Sequence, residues 1–97
     1  MNILFDPLAE QEYHDAFEFY ETRKIGLGED FKNAIRTALR IIELHPEAGP
    51  EVRPCIRKIL VNRFPYNLIY SITDHGLYIL AVAHARRAPE YWVDRTS

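Results

Sequence analysis

Cysteine occurs once, at Cys55. No disulfide can form within the chain, and a reducing compartment is the expected setting. No apolar stretch approaches the ~20 residues that cross a bilayer as a helix. The opening MNILFDPLAE has neither the basic start nor the apolar run of a signal peptide. A cytoplasmic protein with no membrane partner is expected. Lysine is scarce, at Lys24, Lys32 and Lys58 alone, and the isoelectric point is near 6.1. The four histidines, His14, His45, His75 and His84, show no ligand spacing with one another or with Cys55. No metal and no cofactor are expected. Equally missing are a glycine-rich phosphate loop, a G-x-S-x-G elbow and a Cys–His pairing.

What is present suits one soluble domain spanning residues 1–97. The 97 residues are 47% hydrophobic and 27% charged, and a chain this long buries somewhat more than ~60% of its unfolded surface. One core is feasible and a second domain is not. The formal net charge of -2 hides an asymmetry. Residues 1 to 51 hold 11 Asp and Glu against 5 Lys and Arg; residues 52 to 97 hold 3 against 7. The local charge of the second half suits an anionic partner or a solvated sheet face.

NILF (2–5) reads as a short first strand. Asp6 is placed as a helix N-cap and Pro7 at the first helical position. Ala9, Tyr13, Ala16, Phe17 and Tyr20 fall on one face of this first helix. IGLG (25–28) breaks it. A second helix is expected from about Glu29 to Leu44, with Phe31, Ala34, Ile35, Ala38, Leu39 and Ile42 as its apolar stripe. HPEAGPEVRP (45–54) stops it as an irregular segment. CIRKILV (55–61), NLIYSI (67–72) and LYILAVA (77–83) then read as strands. DHG (74–76) is a hairpin turn and NRFPY (62–66) a connection. The fold class is α+β in the order β-α-α-β-β-β. A helical hairpin packs on one face of a small twisted antiparallel sheet, and APEYWVD gives a short C-terminal helical turn.

The stretch HARRAPEYW (84–92) stands out, because a core does not need that many cations and rings at a strand end. Period two places Arg57, Ile59, Val61 and Arg63 on one face of their strand, and Lys58 on the other with Ile56 and Leu60. It also places Tyr78, Leu80, Val82 and His84 on one face of the last strand, with Arg86 continuing it if the chain stays extended. Arg63 and Arg86 would then lie at one end of the meander, and arginine's planar fork suits phosphate oxygens. Metal-free RNA cleavage needs a base, an acid and cations on the developing phosphorane. His84 or Tyr91 can shuttle a proton there, Arg63, Arg86 and Arg87 can hold the phosphate, and Tyr91 or Trp92 can stack on a base. The plain alternatives are a hydrogen-bonded packing role for His84, a lid over the core for Trp92 and a solvated strand end for the arginines. Arg57 and Lys58 complete the candidate phosphate- or partner-binding set.

The element order, HPEAG at the end of the second helix, RFPYNLIYSI and the terminal LAVAHARRAPEYW resemble the RelE/ParE superfamily of toxins from type II toxin–antitoxin pairs. The resemblance runs from about Phe5 to Trp92, carried most strongly by RFPY (63–66) and HARR (84–87). It implies a small cytoplasmic toxin of a plasmid-stabilisation type, partnered by a cognate antitoxin that wraps and blocks it. RelE-like members cleave ribosome-bound mRNA; ParE-like members inhibit DNA gyrase and cleave no RNA. Arg63 and Arg86 fall where RelE-like members place phosphate-binding arginines, and Tyr91 lies within one residue of their C-terminal tyrosine. RelE-like members tend to be strongly basic and lysine-rich, which this chain is not. The ParE-like branch is therefore expected, with RelE-like mRNA cleavage as the alternative and an inactive family member as a further one. A double-stranded RNA-binding module fits poorly, because it needs a long basic final helix.

Overall fold

The computed structural model describes residues 2–96. Asp6 and Pro7 start the first helix, α1 (Pro7–Arg23), as the dipeptide demands: Asp6 Oδ1 accepts from Leu8 N at 2.9 Å. Ala9 and Ala16 are buried on its inner face, while Tyr13, Phe17 and Tyr20 pack around the core edge. The second helix, α2 (Leu27–Leu44), buries Phe31, Ile35, Ala38 and Ile42 at helical spacing. It begins two residues before the expected start at Glu29. Gly26 offers no side-chain cap and stands at φ +91°. Instead, Glu21 of α1 accepts from Gly26 N and Gly28 N at 3.0–3.1 Å, bringing a carboxylate to the positive end of α2. At Gly28 a side chain would meet Phe17 O at 2.9 Å, so the helices approach there without one.

The expected order holds, with one strand added and one parallel pairing in the sheet. Strand β1 (Ile3–Phe5) lies at an edge and runs parallel to the last strand, which the chain reaches only after the helical hairpin and three further strands of alternating direction. The sheet is therefore mixed rather than wholly antiparallel. The segment 45–54, expected to be irregular, contains a three-residue strand, β2 (Glu51–Arg53). Short strands between prolines carry little period-two signal, and an edge position tolerates Pro54. Strands β3 (Ile56–Leu60), β4 (Tyr66–Thr73) and β5 (Gly76–His84) form the expected meander. The spatial order is β1-β5-β4-β3-β2.

Both sheet faces are covered, unequally. The helices sit on Val61, Leu68, Tyr70, Leu77, Ile79 and Val82. The other face carries Ile56, Ile69, Leu80, Ala81 and Ala83 under Trp92. A bulge decides which residues of β5 face which way. Ile69 pairs with Ala81 and Tyr70 with Ile79, so Leu80 is an extra residue. Strict alternation placed Tyr78, Leu80, Val82 and His84 together; past the bulge the parity reverses. Leu80 and Tyr78 belong to the helix-free face, and Val82 to the helix face.

RFPY acquires a packing role. Phe64 and Tyr66 meet Phe31 edge-on at 5.2 and 5.3 Å, and Phe64 meets Tyr20 at 4.9 Å. The β3–β4 turn is thereby pinned to both helices. HPEAG is pinned as well: the fully buried Tyr70 donates its hydroxyl to Pro46 O at 2.7 Å and accepts from Gly49 N at 3.1 Å. One phenol thus answers two backbone groups of this segment, Pro46 O and Gly49 N.

Candidate functional site

The end of β5 and the chain after it form the candidate site. Beyond His84 the chain does not stay extended. Arg87 N donates to His84 O at 3.0 Å, so residues 85–87 turn away, and Arg86 does not continue the strand face. Arg86 N donates to His84 Nδ1 at 3.0 Å, which leaves Nε2 as the protonated nitrogen of the neutral ring. The ring's edge meets Tyr66 at 5.0 Å. His84 is half-buried, positioned by backbone and ring, with the packing role and the chemical role both open to it.

After the turn, the Arg87 guanidinium lies 3.9 Å from the Tyr91 ring centroid. The Tyr91 hydroxyl donates to Glu12 Oε2 at 2.6 Å, and Arg95 grips the same carboxylate with both terminal nitrogens at 2.9 and 3.0 Å. Burial, then the bond to Glu12, raises the Tyr91 phenol well above its ordinary value. The shift makes Tyr91 a weaker acid than a free phenol, and its proton is already donated to Glu12. Trp92, 4% exposed, closes the helix-free face as a lid. Its faces are spent on the sheet, not offered as a stacking platform.

The structure brings His84, Arg87, Lys58, Tyr91 and Trp92 around one groove of about 380 Å³ on the helix-free side, with Asn67 and Ile69 in its floor. A second groove of about 280 Å³ lies on the α1 side, lined by Glu12, Asp15, Phe19 and Tyr66. His84 and Arg87 line both, so they form the ridge between them. Arg63 sits in the β3–β4 turn at φ +73°, exposed, with its guanidinium 5.9 Å from the Phe64 ring; it lines neither groove, and nor does Arg86. Arg57 points to the opposite side. It donates to Gly49 O at 2.8 Å and braces the approach to β2. Arg57 lines neither groove, so the structure does not bring it together with Lys58 and Arg87. Lys58, Arg63, Arg86 and Arg87 form no ion pair among the described residues, while Arg53 is held by Glu90 at 2.6 Å. Charges left unpaired at a ridge are what an anionic or acidic partner would meet.

Glu12 and Arg95 escaped the sequence. Glu12 looked like one more solvated carboxylate of α1. The signal was its place three residues after Ala9 and four before Ala16, both buried. Nothing marked Arg95, whose partner is 83 positions away. Among the described residues, no group of three or more His, Cys, Asp or Glu side chains could hold a metal. No helix among the described residues is long and apolar enough to cross a membrane.

A family model described as the ParE toxin of the type II toxin–antitoxin system parDE matches residues 3–89. Three solved structures share the fold. The chromosomal ParDE system from P. aeruginosa is 16% identical over 87% of this chain and 95% of that chain, with a TM-score of 0.62. The isolated E. coli RelE toxin is 23% identical over 95% and 92%, at 0.62. A mutant of the E. coli toxin RelE in complex with an antitoxin RelBc peptide is 19% identical over 98% and 93%, at 0.61. A comparison with curated protein sequences returns no match.

Proposed function

Because the chain belongs to the ParE toxin family of type II toxin–antitoxin systems, we propose that it inhibits growth by binding DNA gyrase and that it cleaves no RNA. The observation that carries this is the fate of Tyr91. Its hydroxyl is spent on Glu12 beside Arg95, so the C-terminal phenol is a tether and not an acid. His84 remains the one titratable group at the ridge without such a commitment, and cleavage needs both a base and an acid. The scarcity of lysine adds to this, since broad attraction to ribosomal RNA rests on many phosphate contacts. The working surface is the ridge of His84 and Arg87 with the helix-free groove beside it, Lys58 on one wall and Trp92 at its base, and Arg86 exposed in the turn between the two ridge residues. Arg63 extends the positive charge from the neighbouring turn.

A cognate antitoxin is the second partner. The similar structures include a ParDE pair and a RelE–RelBc peptide complex. An antitoxin segment covering the ridge would neutralise the unpaired cations and cover the groove at once. The setting of both partners is the cytoplasm. RelE-like mRNA cleavage is the second reading. It is favoured by one observation, that His84 shares its groove with Lys58 and Arg87.

Controlled expression in a bacterial host separates the two. Growth arrest relieved by the antitoxin, with a DNA-damage response rising before bulk mRNA falls, is the expected result. Prompt mRNA loss with no damage response would replace the gyrase reading with the mRNA one. Normal growth with soluble, folded protein would remove both.

A further inference from the structure

Glu12 differs from the other carboxylates of α1. Its side chain is 16% exposed and that of Arg95 12%. Four donated bonds converge on its two oxygens. Val82 N and Arg95 Nη1 reach Oε1 at 3.0 and 2.9 Å; the Tyr91 hydroxyl and Arg95 Nη2 reach Oε2 at 2.6 and 3.0 Å. The sheet explains why the carboxylate is wanted there. β1 pairs with β5 only at residues 77–79, so from Leu80 onward β5 has no strand on that side. Its outward backbone groups need other partners. Glu12 takes Val82 N, and Arg95 Nη1 donates to Leu80 O at 3.0 Å. An ion pair thus stands where a strand would.

The same carboxylate fixes the chain beyond β5. Tyr91 hangs from it, Arg87 lies over the Tyr91 ring, and Trp92 is the next residue, docked on the sheet. We infer that Glu12 is a positioning residue: it fastens the C-terminal segment, residues 85–96, to the body and through Tyr91 sets where the charge of Arg87 stands. The inference rests on the proposal that the strand-end ridge is the working surface. A buried ion pair adds little net stability over apolar packing, and a shared, fully bonded carboxylate acts chiefly by fixing geometry.

Trp92 is the chain's only tryptophan and is buried, so its fluorescence reports whether the segment is docked. In the purified full chain, Glu12→Gln should shift Trp92 emission to the red and raise its quenching by acrylamide, with the helical circular dichroism retained. Unchanged emission in a folded Glu12→Gln protein overturns the inference. Should that variant fail to fold, Tyr91→Phe decides, since it removes one donor of the four: a smaller shift in the same direction supports the inference and none overturns it. The link to Arg87 is read from a double-mutant cycle in gyrase supercoiling inhibition. If Glu12 acts through Arg87, the pair Glu12→Gln/Arg87→Ala is no weaker than Arg87→Ala alone, within about twofold, the ordinary error of such cycles. Losses that add overturn the positioning role. If the unmodified protein leaves gyrase untouched, the functional proposal fails, while Trp92 emission still judges the fastening.

Discussion

Tyr70→Phe removes one oxygen and tests how the fold holds the segment between α2 and β3. The hydroxyl is buried, donates to Pro46 O at 2.7 Å and accepts from Gly49 N at 3.1 Å. The ring itself is kept in the variant, so no cavity larger than the lost oxygen opens. Two hydrogen bonds vanish, each worth ~1 kcal/mol net. Gly49 N is then a buried donor without a partner. A side chain at Gly49 would meet Lys58 O at 2.0 Å, so the segment is tightly packed against β3 and has little room to shift toward water. The expected loss is about 2–3 kcal/mol. For a domain of this size that lowers Tm by roughly 10–20 °C. Urea unfolding should show a lower midpoint with an unchanged slope. Tyr78→Phe is the control. Its hydroxyl bonds Asp6 Oδ2 at 2.9 Å in a part-buried setting, where water can replace it, and about 0.5–1 kcal/mol is expected. If Tyr70→Phe costs no more than Tyr78→Phe, the hydroxyl does not anchor the segment. Because Tyr70 lines neither strand-end groove, gyrase inhibition measured well below the variant's Tm should match that of the unmodified protein.

Phe31→Ala should cost about 3–5 kcal/mol in chemical denaturation, since Phe31 is fully buried, and Leu39→Ala less, because Leu39 is only partly buried. Arg86→Ala should change stability by less than about 0.5 kcal/mol, as exposed residues without ion pairs do, and Arg87→Ala by about 0.5–1 kcal/mol through its contact with the Tyr91 ring, yet both should weaken growth inhibition; loss of fold in both would make them structural anchors. His84→Gln should keep much of the growth inhibition, because binding a protein target needs no proton transfer; complete loss in a folded variant would point to chemistry at His84. Burial raises the phenols of Tyr13, Tyr20, Tyr66, Tyr78 and Tyr91 above the ordinary value of 10.0. Protons stay on longer in the folded state, so this stabilisation is complete below pH 10 and is lost as pH rises through the folded values. Absorbance titration should show tyrosine ionising late in the folded protein, with stability falling above about pH 10.

Much of the fold was legible because local chemistry and tertiary demand agree. Asp6-Pro7 is a local helix-start signal, the α2 stripe has one buried side, and the meander strands are joined by connections of a few residues. What escaped was non-local. The parallel seat of β1 depends on a crossover closing over 70 residues. β2 is too short to show a period. The bulge at Leu80 inverts a face by one residue without any mark in LYILAVA, and it moved Val82 to the side opposite the one alternation assigned. At the candidate site, HARR was legible as an unusual concentration of cations, and the groove does gather His84, Arg87 and Lys58. The roles of Tyr91 and Arg57 were not legible, because each is settled by a partner far away in sequence: Glu12 for the one and the Gly49 carbonyl for the other.

Gyrase is the proposed target, and RNA the alternative. The most direct measurement incubates the purified protein with purified gyrase, ATP and relaxed plasmid, and in parallel with translating ribosomes programmed with a defined mRNA. Inhibition of supercoiling that increases with toxin concentration and is abolished by the antitoxin, with the mRNA intact, is the predicted result. Supercoiling at the uninhibited rate, together with cleavage of the mRNA, would contradict it.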